Sequence, residues 1–173
     1  MKKVYAMLFL LLSGSASFAQ DQGDAVVRWQ SIVGVISAPN VNNPVGNINA
    51  GTFPWSARSG RARVNLSTGA ASFDVDGLVI NGSPFSGTPG PVTAVTGTLV
   101  CNPGGNGDQQ QVVRDTAAVP LNRQGDAHFS GEIPNIPASC SNPLFLVRIA
   151  VPTGAAGFWI ATGAERVSVI RLE

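Results

Sequence analysis

Arg61-Ala62-Arg63-Val64-Asn65-Leu66, then Ser67-Thr68-Gly69, then Ala70-Ala71-Ser72-Phe73-Asp74-Val75-Asp76: this stretch decides the fold. Ala62, Val64 and Leu66 fall on one side of a period-two pattern, with Arg61, Arg63 and Asn65 on the other. After the turn the alternation resumes, with Ala71, Phe73 and Val75 apolar and Ser72, Asp74 and Asp76 polar. Strict alternation on both sides of a short polar turn specifies a β-hairpin with one dry and one wet face. Gly69 supplies the positive φ that such turns need. Arginines on one strand and aspartates on the other can pair across the wet face, where exposed pairs contribute little.

The rest of the chain extends this pattern. Residues 25–37 are rich in β-branched side chains and read as a first strand. Residues 38–60 are dominated by Pro, Asn, Gly and Ser and read as a long loop, with Phe53 and Trp55 as anchors into the core. A loop at 81–91 precedes a strand at 92–101. A tip at 102–108 leads to a strand at 109–121, and a turn at 122–125 to one at 127–133. After a loop at 134–143, strands at 144–151, 158–161 and 166–172 close the chain. The expected fold is all-β, an antiparallel β-sandwich or small barrel of about eight or nine strands, with no helix beyond an N-terminal signal.

Lys2 and Lys3 precede an apolar run at 4–12, and Ser17 and Ala19 suit the −3 and −1 positions of a signal-peptidase site. The run is about half of the roughly 20 residues a spanning helix needs, so residues 1–19 read as a cleaved signal peptide and 20–173 as one secreted or periplasmic domain without a transmembrane anchor. No cysteine follows the run to carry a lipid. Beyond the signal there is no lysine, and nine arginines face ten acidic residues. That balance argues against nucleic acid or an anionic membrane as partner. An outer-membrane barrel fits poorly, because residues 20–173 lack tyrosine and the chain ends Leu172-Glu173.

Cys101 and Cys140 are the only cysteines. In an exported chain two cysteines most simply form one disulfide, with two free thiols as the alternative. Zinc wants three or four protein ligands, and one histidine with two cysteines falls short, so no metal or cofactor is expected.

Five groups of residues invite a functional reading. Asp126, His128, Ser130 and Glu132 share a strand face, but i and i+2 neighbours stand parallel about 7 Å apart, too far for a nucleophile and its base. Asp74 and Asp76 supply two oxygen-bearing side chains where calcium needs six to eight oxygens. Gly104-Gly105-Asn106-Gly107-Asp108 is similar to a calcium-binding repeat, without its stacked copies. Trp29, Trp55 and Trp159 could form a sugar-binding surface, but three tryptophans in a small β domain are more often core or core-edge residues. Asn65-Leu66-Ser67 and Asn81-Gly82-Ser83 match the short glycosylation pattern. Asp74, Asp76, His128, Trp55 and Trp159 are therefore the surface candidates, and no catalytic set is read.

The chain resembles a family of uncharacterised secreted bacterial β-rich proteins with one cysteine pair. The elements that carry the resemblance are Phe53-Pro54-Trp55, Gly60-Arg61-Ala62-Arg63-Val64, Val75-Asp76-Gly77-Leu78-Val79, Val95-Thr96-Gly97-Thr98-Leu99-Val100-Cys101, Gly125-Asp126-Ala127, Cys140 before Pro143-Leu144-Phe145-Leu146-Val147, and Phe158-Trp159-Ile160-Ala161-Thr162-Gly163. The hairpin is also similar to the opening of the β-rich CHRD domain, although residues 96–99 stand where that domain has its histidine pattern. Neither resemblance implies an activity or a site. The expected function is a non-enzymatic secreted module with a cell-envelope polymer or protein as partner. The alternative is a hydrolase of envelope glycans or peptides, with His128 and distant carboxylates brought together by the fold.

Overall fold

The computed structural model describes residues 25–37, 41–105 and 110–169. The expected signal peptide, part of the glycine-rich tip at 104–108 and the end of the last strand lie outside them. The described residues form eleven strands and no helix. They are β1 (Val26–Gly34), β2 (Trp55–Ser56), β3 (Ser59–Asn65), β4 (Ala70–Asp76), β5 (Val79–Ile80), β6 (Ala94–Cys101), β7 (Val112–Asp115), β8 (Val119–Pro120), β9 (Ala127–Glu132), β10 (Leu144–Ala150) and β11 (Ala156–Val169).

The hairpin forms as its alternation requires. Asn65 Oδ1 accepts from the backbone N–H of Ser67 and Thr68, and Gly69 sits at φ 80°. Ala62, Val64, Ala71, Phe73 and Val75 are buried. β3 and β4 then extend on both sides into an antiparallel sheet of order β7-β6-β10-β11-β1-β3-β4-β9. β8 pairs with β6 beside β7 and also lies against β9, so the two ends of the sheet approach each other.

Aromatic rings show how far the sheet curls. Phe145 of β10 and Phe73 of β4 are not on neighbouring strands, yet their ring centroids stand 5.7 Å apart. Trp29 of β1 lies 5.5 Å from Phe145, and Phe129 of β9 lies 5.8 Å from Phe73. These separations suit aromatic packing. The apolar stripes of opposite walls thus meet in a single core, in a shape between a sandwich and a half-barrel. Gly97 makes room for them: a Cβ there would fall 2.8 Å from both Phe145 and Phe73.

One wall has a second layer. From Val95 to Cys101 every residue of β6 is buried, on both faces. Segment 43–51 lies across β11, two strands further along the sheet. Trp159 donates its backbone N–H to Asn49 O and its indole N–H to Asn43 O, and Gly51 N–H donates to Trp159 O. A small sheet of β2 and β5, with Trp55 opposite Ile80, packs alongside and is tied on by Trp55 N–H to Val35 O.

Three expectations are corrected. Trp55 is an anchor, but Phe53 is 42% exposed, because the chain turns inward only at Trp55. The strand expected at 109–121 is two, β7 and β8. Between them Thr116 replaces sheet pairing with its own bonds, its Oγ1 accepting from Gly97 N–H and its N–H donating to Gly97 O. The strands expected at 158–161 and 166–172 are one continuous β11. Gly163 keeps it running because the Trp29 ring fills the space a side chain would take, 2.6 Å from a Cβ there.

Candidate functional site

The outer face of β1, β3, β4 and β9 carries no covering layer, and the strand register orders its polar side chains into rows. In one row Arg61 faces Asp74 and Asp74 faces His128. Arg61 Nε donates to Asp74 Oδ2 at 3.2 Å, and His128 Nδ1 lies 2.5 Å from Asp74 Oδ1. Burial alone would raise the Asp74 carboxyl, but the hydrogen bonds and charges of His128 and Arg61 outweigh it and hold it below its ordinary value.

Asp74 and Asp76 do not act as a pair. Asp76 accepts instead from Ser59 Oγ at 2.7 Å. No group of three metal-ligating side chains occurs among the described residues. Asp126, on the other side of His128 along the chain, turns away from it. It accepts the Gly77 backbone N–H at 2.9 Å and an amide N–H of Asn122, and the first of these is the main reason its carboxyl lies below the ordinary value.

In the adjoining row the chemistry changes. Arg28 of β1 faces Arg63 of β3, Arg63 faces Ser72, and Ser72 faces Ser130. Arg28 and Arg63 are exposed and make no hydrogen bond or ion pair among the described residues. Facing residues have Cβ atoms about 5 Å apart, so the register sets two like charges side by side, an arrangement that is unfavourable when they lie directly opposite. A groove of about 410 Å³ runs between them, lined also by Gln30, Arg61, Ser72 and Val167. Nothing in the composition points to this groove: like-signed neighbours become visible only once the β1–β3 register is known.

The three tryptophans do not form a surface. Trp29, Trp55 and Trp159 are 1%, 4% and 5% exposed. Trp55 and Trp159, expected as surface candidates, serve the core and its covering segment, so the aromatic sugar-binding face is absent.

Cys101 and Cys140 form a disulfide, with Cα atoms 4.7 Å apart. It joins the end of β6 to the segment entering β10, two strands that are already neighbours.

A second polar cluster is structural. Arg148 is 13% exposed and donates to the carbonyls of Gly157 and Ala156 at 2.7 and 2.6 Å, where the β10–β11 register shifts. Its guanidinium is pushed below its ordinary value by burial, opposed by Asp115, which in turn accepts from Thr98 Oγ1 at 2.6 Å. Its donors are spent holding a bulge.

No helix among the described residues is long and apolar enough to cross a membrane. The chain matches no family model, no curated protein and no solved structure.

Proposed function

We propose that the protein is an exported, non-catalytic β module that binds a polymer or protein of the cell envelope through the outer face of β1, β3, β4 and β9. One observation carries this reading. The sheet is covered on the wall around β6 and β11 and left bare on the opposite wall, where side chains stand in ordered polar rows over a groove. The 1–19 signal peptide, cleavage after Ala19 and membership of the secreted bacterial family belong to the same proposal, and the disulfide fits an oxidising compartment.

Co-sedimentation of the purified protein with isolated envelope material tests it, alongside the mass of the exported form. Retention should be lost in Ser130→Trp, which places bulk on the face without touching the core. Equal retention of the variant, or none of the wild type, refutes the binding reading. An exported mass that still includes residues 1–19 refutes cleavage.

The hydrolase alternative has one observation in its favour: Asp74 reaches His128 from another strand, the Asp–His contact that orients a general base. It stands on an open face, with His128 68% exposed and no nucleophile bonded to its ring among the described residues. Release of soluble fragments from envelope glycan or peptide, abolished in His128→Gln, would establish it. Equal release by the variant would remove it.

A further inference from the structure

We propose that the Arg28–Arg63 groove binds an acidic polysaccharide, with the two guanidiniums gripping one of its carboxylate groups. This rests on the binding-module reading above and names the ligand of the same face.

The argument begins with a contrast. Where charged side chains face one another elsewhere on these strands, the register places a partner opposite them: Arg61 has Asp74, Asp74 has His128, and Asp76 has Ser59. Only at Arg28 and Arg63 does it place like beside like. Glu165, on the adjoining β11, forms an ion pair with neither. Ser72, opposite Arg63, is neutral. Each guanidinium offers five N–H donors in a planar fork that matches a carboxylate. An oxyanion between them would offset the like charge and use donors that have no acceptor among the described residues.

The neighbours of the pair say what carries the oxyanion. A contiguous polyanion such as a nucleic acid would run from the arginines onto the Asp74 carboxylate, which is ionised and already holds Arg61 and His128. The chain beyond the signal also has no excess of positive charge to draw it in. A polymer with spaced charges and neutral hydroxyl-bearing units between them meets the opposite situation. Gln30, Ser72 and Ser130 along the groove and its margin donate to and accept from hydroxyls, and a single acid group falls at the arginine pair. That description fits a uronic-acid polysaccharide.

Affinity electrophoresis of the full protein through gels containing sodium polygalacturonate or neutral dextran tests this, with calorimetric titration of inorganic phosphate and of a thymidine oligonucleotide beside it. Polygalacturonate should retard the wild type and dextran should not. Arg28→Gln and Arg63→Gln should each weaken the retardation at least tenfold, while Arg123→Gln, which removes the same charge at an exposed turn, should leave it within twofold. Both groove variants should melt no lower than the wild type, since neither side chain makes a hydrogen bond or ion pair among the described residues. The proposal is overturned if Arg123→Gln weakens binding as much as the groove variants, or if phosphate or the oligonucleotide binds more tightly than polygalacturonate. Wild-type protein that binds envelope material but not polygalacturonate also overturns it, and leaves the module reading standing. Wild-type protein that binds no envelope material takes both down.

Discussion

Removing the Cys101–Cys140 bond should lower stability by about 4 kcal/mol while leaving the native structure nearly unchanged. The bond closes a loop spanning 39 positions in sequence, which contains β7, β8 and β9. In the chain-entropy model, cross-linking that many residues removes close to 13 cal/mol/K from the unfolded ensemble, or roughly 4 kcal/mol at 25 °C. The native side of the equilibrium has little to lose. The loop's exit and re-entry are already held by the β6–β10 register, in which Leu144 faces Val100, and by the hydrogen bond from Asn102 N–H to Ser141 O. For a domain of this size 1 kcal/mol shifts the melting temperature by about 2–4 °C, so Cys101→Ala/Cys140→Ala should melt roughly 8–16 °C below the wild type. The assay is a pair of thermal melts followed by circular dichroism, with the wild type also melted after reduction. Reduced wild type should fall into line with the double variant, less a small packing difference at buried Cys101. A shift under about 3 °C would refute the entropic reasoning, and two free thiols in the unreduced wild type by mass spectrometry would refute the bond itself.

Three further outcomes are expected. Gly97→Ala should cost about 1–3 kcal/mol by urea denaturation, because its Cβ would press on Phe73 and Phe145, both about 1% exposed; no loss would show that those rings have room to move. Trp29→Phe should be milder than Trp159→Phe by about 1–3 kcal/mol, since the buried Trp29 indole N–H finds no acceptor among the described residues whereas that of Trp159 bonds to Asn43 O; equal losses would contradict this. Asp74→Asn should cost a few tenths to about 1 kcal/mol near pH 6, as expected of an exposed pair. Because the folded-state value of Asp74 is lowered from 3.8, that contribution is complete above 3.8 as far as Asp74's own titration goes and disappears as pH falls through the folded value, so the gap between wild type and variant should close in acid.

The hairpin was legible because its alternation runs unbroken through Val75, with one face dry and the other wet. The same rule fails where one face is not simply wet. β6 is buried on both sides, and β1 buries Trp29 and then Ile32, slipping its alternation by one residue where β3 parts from it. β11 looked like two strands because Thr162-Gly163-Ala164 resembles a break, and only the Trp29 ring explains why glycine stands there. The site was half legible. The Arg61–Asp74 pair follows from hairpin register alone. The His128–Asp74 contact needs β9 beside β4, and the Arg28–Arg63 pair needs β1 beside β3; strand order is a tertiary fact that local pattern does not carry. The tryptophans are core residues, as their number in a small β domain favours, and Trp55 and Trp159 failed only as surface candidates, since residue type cannot tell whether a segment such as 43–51 will fold over them.

The position of the last strand has a consequence for how the molecule is made. β11 lies in the middle of the sheet, between β10 and β1, with Leu146 facing Thr162 on one side and Val33 facing the same residue on the other. Until residues 156–169 emerge, the β1-β3-β4-β9 half and the β6-β10 half lack the strand that hydrogen-bonds to both, and it is the contact of β8 with β9 that brings their strands together. Each half is left with an open edge. Most of the pairing that closes the sheet is therefore long-range and comes late, so the chain should remain unfolded through most of its synthesis and then complete its core in one slow, cooperative step.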